Sequence, residues 1–115
     1  MTVASIRRDE LAEALARRSV TVVDALPAHV FSQRHLPGAI NVVAEHRDEE
    51  VAEALPDLEA PVVVYSTDEN CDRAPALAHR PTELGYRNVR LLRAGIADWV
   101  AHGRPVAQGP DHQGA

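Results

Sequence analysis

The one cysteine of the chain, Cys71, lies in a polar loop that reads Ser66-Thr67-Asp68-Glu69-Asn70-Cys71-Asp72-Arg73. An apolar run, Val62-Val63-Val64-Tyr65, stops where the loop begins, and an Ala-rich stretch opening at Ala74-Pro75 follows it. That order predicts a buried strand, a loop and a helix N-terminus. The first turn of a helix has N–H groups without intrahelical partners and a partial positive charge, so the loop is a natural cradle for an anion or a thiolate. Two of its residues could react. A thiol becomes a nucleophile when its pKa is lowered. A hydroxyl needs an adjacent base that a third group orients. His35 and His79 are the available bases for Ser66, but no spacing places either beside it: His35 is expected to hydrogen-bond backbone in its own turn, and His79 to lie on a solvated helix face. A phosphatase-type loop needs an arginine six residues after its cysteine, where this chain has Leu77. One cysteine and scattered histidines give no metal-ligand cluster.

The elements that must position this loop follow from two alternating periodicities. Leu11, Ala14 and Leu15 share a helical face. Thr21-Val22-Val23-Asp24 is a short β-branched strand ending on a carboxylate. Residues 27–31 form a short helix. His35-Leu36-Pro37-Gly38-Ala39-Ile40-Asn41-Val42 is a turn leading into a brief strand, with Pro37-Gly38 as the turn signal. Residues 49–55 form a weak helix, and 61–65 the strand before the loop. The next helix places Ala74, Leu77, Ala78, Pro81 and Leu84 on one face and ends at Gly85. Residues 89–92 are a strand, and 95–102 a helix with Ile96, Trp99 and Val100 facing the core. Pro81 is anomalous, because it removes a bond to the Leu77 carbonyl at a cost of ~3 kcal/mol in a regular helix; that helix should kink near Leu77 or stop early. Short apolar strands alternating with helices predict an α/β fold, a mainly parallel sheet covered on both faces. Ligands then bind beyond the strand carboxyl ends, where Asp24 and Ser66 sit.

The chain of 115 residues suits one domain, taken as 1–107 with a flexible tail at 108–115. Its formal charge of −5 argues against nucleic acid as a partner. All its basic side chains other than histidine are arginine, and Arg87, Arg90 and Arg93 read as a solvated strand edge. A lone cysteine cannot close an internal disulfide, which suits a reducing cytoplasm. No apolar run approaches the ~20 residues that span a bilayer, and no signal peptide is expected at the charged start.

Four blocks in order carry a family resemblance: Val22-Val23-Asp24; His35-Leu36-Pro37-Gly38-Ala39-Ile40-Asn41; Val62-Val63-Val64-Tyr65 with its loop; and Leu84-Gly85-Tyr86-Arg87-Asn88-Val89, running on to Gly95-Ile96-Ala97-Asp98-Trp99 and Gly103-Arg104-Pro105-Val106. Together they make the chain resemble a single-domain rhodanese. The resemblance implies a three-layer α/β fold with about five strands, no cofactor and no metal. It also implies a nucleophilic cysteine directly after the central strand, which takes a sulfane sulfur as a persulfide and passes it to a thiol acceptor.

This chain has Ser66 at that position. Oxygen cannot form the S–S bond of a persulfide, and a helix dipole does not ionise a serine hydroxyl, whose pKa lies far above that of a thiol (~8.5). Sulfur transfer then runs through Cys71, or through a thiol that Ser66 has replaced. Asp68, Glu69 and Asp72 are expected to raise the Cys71 pKa and to repel thiosulfate, since like charges ~5 Å apart cost from several tenths to a few kcal/mol, depending on local screening. Arg73 could pair with Asp72 or Asp24, and Asp24 could hold the loop. Weak thiosulfate turnover, with a small sulfur donor, a thiol acceptor or a partner protein as substrate, is one expectation. A non-catalytic rhodanese-homology binding module is the other.

Overall fold

The computed structural model describes residues 3–109. Ten elements alternate: β1 Ala4–Ser5, α1 Arg8–Ala16, β2 Thr21–Asp24, α2 Ala28–Gln33, β3 Ile40–Asn41, α3 Asp48–Ala54, β4 Val62–Tyr65, α4 Arg73–Glu83, β5 Val89–Leu92 and α5 Gly95–Ala101. The five strands form one parallel sheet in the order β1-β5-β4-β2-β3, with β4 at its centre.

Alternation along β4 builds both cores, because successive side chains of a strand point to opposite faces. Val62 and Val64 pack with Val51 and Leu55 near α3, and with Leu77 and Ala78 of α4. Val63 and Tyr65 pack on the other face with Leu11 of α1, Phe31 of α2, and Ile96 and Trp99 of α5. The predicted three-layer architecture is the one observed. Register aligns Asp24 with Tyr65 and Tyr65 with Leu92, so three strands end level at one edge of the sheet.

Two local expectations need correction, and one strand lies outside the sequence pattern. Strand β1 has no apolar signal: its two residues are exposed and pair only with β5. Val100 does not face the core; it is 36% exposed, because the buried stripe of α5 runs through Ile96 and Trp99. Of the two readings of Pro81, the early stop is not observed: helix α4 does not end before Pro81. It continues to Glu83 with Pro81 buried, and its end is closed by Leu84 N–H bonds to the Arg80 and Pro81 carbonyls before Gly85 turns at φ +101°.

The chain stays bonded slightly beyond residue 107. Ala107 pairs with His35, and the Gly109 N–H donates to the Ser32 carbonyl at 2.9 Å. The rest of the expected tail, 110–115, lies outside the described residues. Among those described, no helix is long and apolar enough to cross a membrane.

Candidate active site

The carboxyl end of the central strand delivers Ser66 to the functional edge. Its side chain is 2% exposed, and its Oγ accepts the Ala74 N–H of the first turn of α4 at 3.3 Å. Its carbonyl accepts the Ile96 N–H at 3.0 Å, and the Thr67 carbonyl accepts the Ala97 N–H at 2.9 Å. The loop is thereby fastened to the start of two helices. Gly95 permits this approach: it sits at φ +69°, and a Cβ there would lie 2.4 Å from the Thr67 carbonyl oxygen. Only glycine takes that conformation and that proximity without strain.

Further along, the loop folds on Asp68. Its carboxylate accepts the Asn70 N–H at 2.9 Å, and its carbonyl accepts the Cys71 N–H at 3.1 Å. Those two amides are therefore spent within the loop and do not face a ligand. Asp72, just before α4, makes no side-chain cap. The cradle consists instead of groups around the half-buried Cys71 thiol. Burial alone would raise its pKa. Hydrogen bonds from the Ser66 hydroxyl, from the main chain of Arg73 and Thr67, and from the Thr67 side chain outweigh that and hold the thiol below its ordinary value. The expected rise from Asp68, Glu69 and Asp72 does not prevail, because hydrogen bonds made at contact with the thiol set the net direction.

Ser66 and Cys71 share a pocket of about 20 Å³, which Asp68, Glu69, Leu92 and Arg93 help to line. That is room for about one water-sized atom. A larger groove of about 490 Å³, bounded by Arg7, Arg8, Asp98 and residues 92–94, adjoins it through Glu69, Leu92 and Arg93.

Arg73 pairs with neither Asp72 nor Asp24. Its Nε donates to the Ala25 carbonyl at 2.8 Å, and its Nη2 lies 3.8 Å from Glu45. Asp24 is buried one strand away and grips the loop only indirectly. Its Oδ1 accepts the Leu26 N–H at 2.8 Å and its Oδ2 accepts the Tyr65 hydroxyl at 2.5 Å. Burial raises its pKa, against the pull of those two hydrogen bonds.

His35 behaves as its turn predicts. It is buried, its ring stacks on Phe31 at 3.9 Å, and its Nδ1 lies 2.8 Å from the Phe31 carbonyl, which can only accept, so Nδ1 carries the proton. His79 is exposed on α4. Neither is among the residues that line the pocket of Ser66. Among the described residues no three His, Cys, Asp or Glu side chains form a metal-ligand group.

Sequence reasoning misses two contributors. Tyr65 reads as the last apolar residue of a strand, yet its hydroxyl joins Asp24 to the Leu36 N–H. Gly95 reads as a helix start and is the point of closest approach to the loop; a glycine directly after a strand and before an apolar helical face is the available signal.

With strand order and loop in place, comparison with known proteins gives the class. The chain belongs to the rhodanese-like domain family, whose model matches residues 7–102. The HTH-type transcriptional regulator Rv0324 of Mycobacterium tuberculosis is 31% identical over 105 residues, which cover 91% of this chain and 45% of that protein. The chain thus spans less than half the length of this relative. The crystal structure of BH2092 from Bacillus halodurans superposes with a TM-score of 0.84 at 22% identity, over 94% of this chain and 79% of that one. A thiosulfate sulfurtransferase from Pseudomonas aeruginosa superposes with a TM-score of 0.75 at 23% identity, over 93% of this chain and 20% of that one.

Proposed function

We propose that this rhodanese-like domain is a persulfide carrier of the sulfurtransferase type whose working thiol is Cys71, with Ser66 hydrogen-bonding that thiol from the family's nucleophile position. One observation carries the reading: the half-buried Cys71 thiol shares a pocket with Ser66 at the edge where the sheet presents its loop, and hydrogen bonds from Ser66, Thr67 and the Arg73 main chain favour its thiolate. A similar fold in a named thiosulfate sulfurtransferase supports the reaction class.

The chemistry is redox-neutral exchange. The Cys71 thiolate attacks the outer sulfur of a persulfide, R–S–SH. An S–S bond forms to Cys71, the R–S–S bond breaks, and R–S⁻ leaves and takes up a proton. An acceptor thiolate then attacks the outer sulfur and releases Cys71 as a thiolate. The pocket of about 20 Å³ has room for one added atom. Thiosulfate is disfavoured because it brings two negative charges to the carboxylates of Asp68 and Glu69. A single unpaired thiol working by exchange belongs in a reducing compartment such as the cytoplasm.

Intact-mass measurement after incubation with a small persulfide tests this. We expect a gain of one sulfur atom that Cys71→Ala abolishes. No gain in the wild type, with a gain in Ser66→Cys, would move the function to a thiol at position 66. No gain in either would favour the second reading, a binding module without chemistry, which the oxygen at position 66 itself motivates.

A further inference from the structure

The groove beside the thiol pocket has a charge pattern the persulfide reaction does not by itself require. Half of its charged side chains are already paired. Arg8 holds Asp98 at 2.7 Å and lies 3.5 Å from Asp9, which also receives Arg104 at 2.9 Å. Three remain without an ionic partner among the described residues: Arg7, Arg93 and Glu69. Eight of the chain's twelve arginines lie within salt-bridge distance of a carboxylate. Two of the other four therefore border this one groove. Arg93 is anchored by Nε, which donates to Ser5 Oγ at 3.2 Å, leaving its terminal nitrogens without a partner among the described residues. Glu69 and Arg93 also line the pocket of Ser66 and Cys71, so a cation and an anion flank the passage from groove to thiol.

We infer that the sulfur donor or acceptor of this site is a small zwitterionic thiol of the α-amino-acid type, its carboxylate on Arg93 with Arg7 behind it and its ammonium on Glu69. This deepens the Cys71 reading and rests on it. A guanidinium fork matches a carboxylate with two parallel hydrogen bonds. In such a thiol the sulfur sits on the carbon next to the one bearing both charged groups, so sulfur, carboxylate and ammonium diverge from adjacent atoms. The groove's volume, about 490 Å³, lies in the ordinary range for small-molecule sites. A dianion such as thiosulfate meets Glu69 unfavourably, a carboxylate thiol without an amine leaves Glu69 unpaired, and a neutral thiol leaves both charges unanswered. The sulfur exchange is the one written above, with free cysteine as the leaving thiol when cysteine persulfide is the donor.

The test compares rates of Cys71 persulfidation, read by intact mass and each divided by the same donor's rate with a free alkyl thiol to remove leaving-group differences, for the persulfides of cysteine, 3-mercaptopropionate and 2-mercaptoethanol. We expect cysteine persulfide to react roughly tenfold faster than the neutral donor, the size of effect that hydrogen bonds to charged groups give. Arg93→Ala should collapse that ratio toward one. Glu69→Gln should bring cysteine persulfide down toward the carboxylate-only donor. Arg34→Ala, which removes an arginine outside the groove, should leave the ratios intact. Equal rates for the three donors in the wild type, or a ratio that survives Arg93→Ala, overturns the inference while the Cys71 carrier stands. Failure of every donor to load Cys71 overturns both.

Discussion

The Tyr65 hydroxyl donates to Asp24 Oδ2 across 2.5 Å in a region where both side chains are fully excluded from solvent. The same oxygen accepts the Leu36 N–H at 3.0 Å, so a single atom joins β4, β2 and the turn that carries His35. Burial and the neighbouring carboxylate push the tyrosine's pKa far up, so it serves only as a neutral donor. Tyr65→Phe deprives a buried carboxylate and a buried amide of their partner at once. Each orphaned group costs about 1 to 3 kcal/mol, so urea unfolding at neutral pH should show a loss of about 3 kcal/mol. A loss under about 1 kcal/mol would mean that the hydroxyl is not structural.

Asp24 predicts a pH dependence of definite sign. Burial holds its native pKa above the ~3.9 of an unfolded chain. The native state therefore binds the extra proton, and the stability this contributes is fully present below the unfolded pKa and lost as pH rises through the native one. Asp24→Asn cannot titrate. The unfolding free energy of the wild type minus that of Asp24→Asn should therefore fall between pH 4 and pH 7. Asp9, lowered by its Arg104 hydrogen bond, and Glu50, lowered by the Arg47 amide, push the opposite way, but they cancel in the difference.

Much of the framework is legible because it is written in side-chain type. The β-branched runs at β2 and β4 and the short apolar run at β5 stand out from their surroundings, and Ala74, Leu77, Ala78 and Pro81 fall on the buried face of α4 as spacing requires. The chemistry of the loop is less legible, because charge in a sequence has no direction. Asp68 counts as an acid beside Cys71, yet its carboxylate accepts the Asn70 amide and only its main-chain carbonyl meets the Cys71 amide. Arg73 counts as a partner for Asp24, yet it reaches the Ala25 carbonyl instead. Two exposed residues joined to the sheet only through β5 leave no periodicity at all, so β1 cannot be read from residue types.

Gly95 couples the loop to α5 and should be intolerant of any side chain. Alanine there meets the Thr67 carbonyl oxygen at 2.4 Å and the Ser66 carbonyl oxygen at 2.6 Å, both backbone atoms, in a left-handed conformation. The conformation alone costs about 1 to 2 kcal/mol, and relieving the clash disturbs the Ile96 and Ala97 bonds to those same carbonyls. Gly95→Ala should lose at least about 2 kcal/mol in urea unfolding and slow alkylation of Cys71. Wild-type stability in this variant would show that the loop is not clamped.

Pro81 offers a gain. It is buried in α4 and supplies no N–H for the Leu77 carbonyl. Replacing it with alanine removes about two methylene-sized groups from the core, ~1.6 kcal/mol at ~0.8 per group. It recovers up to ~3 kcal/mol of helix propensity. The second effect is larger, so Pro81→Ala should stabilise the domain by about 1 kcal/mol, seen as a rise of several degrees in Tm. A fall in Tm would show that the ring's packing outweighs the missing hydrogen bond.

Ser66→Ala separates a structural serine from one that tunes the thiol. The substitution takes the acceptor from the Ala74 N–H, a neutral bond worth about 1 kcal/mol. A purely structural serine would produce that loss and nothing more. It also removes one of the donors that hold the Cys71 thiol below its ordinary pKa. The remaining hydrogen bonds, from Thr67 and Arg73, then oppose burial with less help, so the thiol pKa must rise. Less thiolate is present at neutral pH, and the pH profile of Cys71 alkylation by iodoacetamide should move to higher pH, with a slower rate at neutral pH. The plateau rate at high pH, where the thiol is fully ionised in both proteins, should change little. A profile that stays in place while stability drops would reduce Ser66 to a helix-start acceptor and leave the Cys71 thiol to be tuned by Thr67 and the main chain alone.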